Sequence, residues 1–176
     1  MGWIAGLLGL YFVFMLFVPI PGFGLPDLSR GFPSAETPVG ELFSNWAFWI
    51  DFHILGEHTW SVRQLRDASG ALIWSFDPEG IISTIPATCS VLLGILTGKW
   101  LTREDRDDQQ KLNGLFVAAG WLMLLGLIVS IWMPINKRIW TSSYTIFTAG
   151  MALATLGILY HAIDMKGWTK WAYPID

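Results

Sequence analysis

Residues 112–133, LNGLFVAAGWLMLLGLIVSIWM, contain no charged side chain. A helix rises 1.5 Å per residue, so a run of about 20 apolar residues crosses the roughly 30 Å hydrocarbon core of a bilayer. Working outward, similar runs occupy about 2–20, 80–101 and 139–161. The pattern predicts an all-α integral membrane protein, a single membrane domain (1–176) with four transmembrane helices. Composition agrees: 53% of residues are hydrophobic and 14% charged, against about 25% charged in soluble domains. The mean hydropathy is +0.47.

The 2–20 run has no Lys or Arg before Arg30 and ends in Val18-Pro19-Ile20-Pro21. It lacks the basic start and small-x-small end of a cleaved signal, and a retained helix is expected. Pro21-Gly22-Phe23-Gly24 then turns the chain into a long loop, 21–79. Inside it, Leu42, Trp46, Trp49, Ile50 and Phe52 to Leu55 are interrupted by Asp51 and His53. That stretch is too polar to span and predicts an interfacial or re-entrant helix. Asp67-Ala68-Ser69-Gly70 reads as a turn, and Pro86 is expected to bend the second span.

The stretch TREDRDDQQK (102–111) is a solvated loop. Trp3, Trp100, Trp132, Trp140, Trp168 and Trp171 fall near proposed helix ends, where indole favours the water–lipid boundary. Four spans put both termini on one side, together with Lys99, Arg103, Arg106, Lys111, Lys166 and Lys170. The positive-inside rule makes that side cytoplasmic and loop 21–79 extracytoplasmic. Ser83, Ala87, Ser90, Gly94 and Gly98 share a face of the second span, spacing that suits close helix–helix packing.

A net charge of -3, with the basic residues near 99–111 interleaved with Glu104, Asp105, Asp107 and Asp108, excludes a nucleic-acid-binding surface. Cys89 is the single cysteine, so an internal disulfide is excluded and a packing role is expected.

Polar chemistry gathers in a few places. Asp77-Pro78-Glu79-Gly80 precedes the second span, where carboxylates suit substrate positioning, proton transfer or helix capping. His53 and His58, near Asp51 and Glu57, have the residue types of an acid–base pair or a weak metal site. His161 closes the fourth span, either bonded to the last carbonyls or ligating a metal, haem or pigment. Pro134 to Ser143 (PINKRIWTSS) is either a tight turn with basic residues facing water or the lining of an anion entry. Phosphate-loop, nucleophile-elbow and zinc signatures do not occur.

The stretches 76–86 (FDPEGIISTIP), 93–99 (LGILTGK), 134–144 (PINKRIWTSSY) and 163–168 (IDMKGW) resemble the heparan-alpha-glucosaminide N-acetyltransferase family. Ile50-Asp51 through Leu55-Gly56-Glu57-His58 is similar to that family's Asp-Arg-Leu-Leu-Leu-Gly…His element, with Phe52 in place of the Arg. The resemblance covers most of residues 20–172. Family members are polytopic enzymes that carry an acetyl group from cytosolic acetyl-CoA to a sugar amine across the membrane. It implies that Asp77, Glu79, Asn136 and Lys137 lie at the acceptor end of a substrate site, opposite a cytosolic 102–111 loop.

The chain is expected to correspond to the C-terminal half of that pattern, without the half bearing the catalytic histidine. Neither His53 nor His58 matches that histidine's motif, so no catalytic residue is assigned. The expected role is a non-catalytic accessory subunit packed with other subunits into a larger membrane complex, of respiratory or photosynthetic type for example. It would carry bound lipid and no cofactor of its own, and a bacterial inner membrane is the expected location. The alternative is half of a split acetyltransferase, which would bring acetyl-CoA as cofactor.

Overall fold

The computed structural model describes residues 2–30, 32–34 and 36–168. Trp171 and Lys170, read above as boundary residues, lie outside them. The chain is mostly helical, in the order α1 (Gly2–Phe17), α2 (Trp46–Ile54), β1 (Gln64–Arg66), β2 (Leu72–Ser75), α3 (Thr84–Leu101), α4 (Asp108–Val129) and α5 (Ser142–Tyr160). Among the described residues three helices are long and apolar enough to cross a membrane: α3, α4, and α5 with the wide π turn that extends it to Met165. The first run is shorter than expected. α1 has 16 residues, about 24 Å of helix, because the ring of Pro19 cannot continue it.

Its exit is a tight reversal. Ile20 N–H donates to the Gly24 carbonyl at 2.7 Å and Gly24 N–H returns to the Ile20 carbonyl at 3.1 Å. Gly22 and Gly24 both adopt positive φ, near 80°, where a side chain would strain the backbone.

A helix forms where the loop's apolar stretch predicts one. Asn45 caps α2 by accepting the Phe48 N–H at 3.1 Å. The antiparallel hairpin β1–β2 was not expected, although its turn was: Asp67 Oδ1 accepts the Ser69 and Ala71 N–H groups at 2.8 and 3.0 Å. The main aromatic core of the described residues lies in this loop layer. Phe48 meets Trp74 and Phe76 at 5.1 and 4.8 Å between ring centres, both edge-on.

α3 begins at Thr84, so Pro86 is its third residue. The first four N–H groups of a helix have no acceptor inside it, so the missing proline N–H costs nothing there and forces no bend. α4 and α5 pack through glycine. A Cβ on Gly126 would sit 2.7 Å from the Phe147 backbone nitrogen, and one on Gly150 would sit 2.8 Å from the Ala119 carbonyl oxygen. α1 lies along α3 and α5. It is tied to the α5 entrance by Tyr11 Oη–H to the Ile139 carbonyl (2.6 Å) and Ser142 Oγ–H to the Leu8 carbonyl (2.9 Å). The outward faces expose Val91, Ile95, Val117, Trp121, Leu127 and Ile158, a surface suited to lipid.

Candidate functional site

Asp51 organises the loop layer. Its side chain is fully buried, and its two carboxylate oxygens accept the Ile81 and Asp77 N–H groups, each at 3.2 Å. A Cβ on Gly80 would overlap that carboxylate, so the chain passes close only because residue 80 is glycine. Burial pushes the Asp51 carboxyl up to about 6; the two N–H donors pull against that shift, and the nearby Asp77 charge adds to it.

Asp51 of α2 therefore holds the chain at Asp77 and Ile81, and Asp77 and Glu79 lie ahead of α3, which starts at Thr84. Asp77 accepts the Glu79 N–H at 2.9 Å through Oδ1 and the Trp60 N–H at 3.3 Å through Oδ2. It builds a turn instead of capping a helix, and Ser83 takes the cap position of α3. Glu79 is exposed.

Thr141 knots the second motif together. Its Oγ1 accepts the Asn136 N–H at 3.0 Å and donates to the Pro134 carbonyl at 2.9 Å, while Ser143 Oγ donates to the same carbonyl at 3.1 Å. Asn136 Oδ1 accepts the Arg138 N–H at 2.9 Å, and Lys137 is exposed. The knot holds Trp140 at φ 49°, a strained conformation for a bulky residue that costs of the order of 1–2 kcal/mol.

The two motifs meet at Phe32, a residue that carries no local sequence signal. Its ring lies 5.5 Å from Phe76, immediately before Asp77. Arg138 of the second motif sets its guanidinium carbon 4.2 Å from the same ring centre, and Arg63 approaches to 4.5 Å.

The histidines are placed apart from this cluster. His53 is exposed, stacks on Trp49 at 4.0 Å, and has Nδ1 2.7 Å from the Trp49 carbonyl oxygen. His58 is exposed, and Glu57 pairs with Arg66 at 3.1 Å. His161 opens the π turn after α5 with a buried Nδ1 that has no partner among the described residues. Among the described residues no three His, Cys, Asp or Glu side chains converge as metal ligands. Ser83, the cap of α3, is buried; on the helix itself Ala87 and Ser90 are half-buried, and Gly94 and Gly98 face open space.

The chain sets two polar loops that meet at Phe32 on a frame whose three long helices are apolar enough to cross a membrane, the construction of a membrane protein. Its sequence is similar to heparan-alpha-glucosaminide N-acetyltransferase of Mus musculus, 29% identical over 167 residues, covering 87% of this chain and 24% of the relative. The Homo sapiens protein of the same name is 28% identical over 175 residues, 92% of this chain and 25% of the relative. The chain thus spans about a quarter of the length of the curated relatives it matches. No family model matches it.

Proposed function

We propose that the chain is a non-catalytic transmembrane accessory subunit built on an acyltransferase-like scaffold and packed into a larger membrane complex. The observation that carries this reading is how the polar residues of the motifs are used. The Asp51, Asp77 and Asn136 oxygens all accept backbone N–H groups, and the Thr141 and Ser143 hydroxyls bond the Pro134 carbonyl. Groups engaged in building turns are poorly placed to move a substrate proton, which requires a base within hydrogen-bond reach of the reacting group. The open small-residue face at Gly94 and Gly98 suits another subunit's helix, and bound lipid suits the remaining apolar surface. In this reading α1 completes a four-helix set, with both termini and the 102–111 loop cytoplasmic.

The second reading is half of a split acetyltransferase that uses acetyl-CoA to acetylate a sugar amine. Similarity to proteins named as N-acetyltransferases along nearly the whole chain favours it. Asp77, Glu79, Asn136 and Lys137 would then face the acceptor. Gentle purification separates the two. A complex that neither binds nor turns over acetyl-CoA supports the accessory role, and a partner that restores acetyl transfer supports the split enzyme. A chain that purifies alone contradicts both.

A further inference from the structure

We propose that Arg63 and Arg138, drawn together on the ring of Phe32, form a binding site for an oxyanion: a sulfate, phosphate or carboxylate group. The inference goes beyond the proposed function and depends on neither reading of it.

The chain has six arginines. Arg30 pairs with Asp27 and Glu41 at 3.1 and 2.7 Å, Arg66 with Glu57 at 3.1 Å, and Arg103 and Arg106 with Asp105 at 2.6 and 3.7 Å. Among the described residues Arg63 and Arg138 have no such carboxylate. Both lie against Phe32 instead, their guanidinium carbons 4.5 and 4.2 Å from its ring centre. An aromatic face attracts a cation, and arginine stacks on it well. Two cations gathered on one ring repel each other, however, and their proximity calls for a negative partner.

Unsatisfied donors point the same way. Among the described residues Arg63 Nε is buried without an acceptor. So is the indole N–H of Trp74, whose ring centre is 5.9 Å from that of Phe32. Buried donors left unpaired are rare in folded proteins, and a bound ion is one established reason for them.

Both arginines stand on fixed backbone. The Arg63 carbonyl accepts the Phe76 N–H at 3.2 Å, and Arg138 N–H is held by Asn136 Oδ1. Asp77, which follows Phe76 in the chain, already accepts two backbone N–H groups and forms no ion pair with Arg63.

The oxyanion could arrive free in water or on a lipid headgroup, and the test distinguishes them. The full chain in a non-ionic detergent is titrated calorimetrically with sodium sulfate at constant ionic strength, and separately with a short-chain phosphatidic acid below its micelle concentration. Saturable sulfate binding, weakened tenfold or more in both Arg138→Gln and Arg63→Gln and unchanged in the double variant Arg103→Gln/Arg106→Gln, is the expected result. Arg138 is exposed, so its variant keeps the fold, which the helical circular dichroism of each protein verifies. Saturation by the phosphatidic acid alone, with the same dependence on both arginines, supports the site and assigns its anion to lipid. Absence of saturation by either probe, or binding indifferent to Arg138→Gln, overturns the proposal.

Discussion

The helical bundle and the loop layer hold together by opposite means. Between α4 and α5 contact is made by removing side chains: at Gly126 and Gly150 even one methyl group would meet the neighbouring backbone. Helices surrounded by lipid gain no hydrophobic advantage from association, so close backbone approach and dispersion must supply it. The loop layer is instead filled with rings, Phe48, Trp74 and Phe76 among them, and tied by polar side chains that accept backbone N–H groups. Asp51, Asp77 and Asn136, whose spacing looked chemical, make ties of that second kind.

Substituting one seam or one tie at a time breaks the comparison. The largest effect is expected at the seam. Gly126→Leu must push α4 and α5 apart at Phe147 and should cost roughly 3 kcal/mol or more, seen as aggregation or a large fall in the thermal midpoint in detergent. In the loop layer, the Asp51 carboxyl holds its proton up to about 6 against an ordinary 3.8. The folded state therefore binds that proton more tightly than the unfolded chain. Its stabilising contribution is complete below pH 4 and is lost as pH rises through 6, by about 3 kcal/mol at most. Unfolding followed between pH 4 and 7 should show that slope in the wild type, and Asp51→Asn should flatten it.

At the joint between the regions, Tyr11→Phe removes the hydroxyl bonded to the Ile139 carbonyl and leaves that carbonyl buried. A loss of about 1–2 kcal/mol is expected in the same unfolding assay. Gly94→Ala should have the smallest effect on the isolated chain, because a Cβ there meets nothing within 4 Å. The midpoint should stay constant or rise slightly, since alanine favours helix over glycine.

The three long helices were legible because charge-free runs of that length have few other stable forms in a chain this apolar. The first run was overread by the residues beyond Phe17, where Pro19 stops the helix. The hairpin gave no pattern to read: strands of three and four residues are too short for alternation to emerge. Asp51 was readable as important but was grouped with His53. Residues two apart point to different sides of a helix, and Asp51 turns inward to residues 77 and 81 while His53 lies exposed against Trp49. Phe32, Arg63 and Arg138 meet only through the tertiary fold, so nothing in their local sequence announces them.

The accessory-subunit account is tested most directly by the mass of the native assembly released from membranes into lipid nanodiscs. It predicts a complex of several subunits, far heavier than the 19.7 kDa chain, that carries no acetyl-CoA. A single 19.7 kDa species would contradict it.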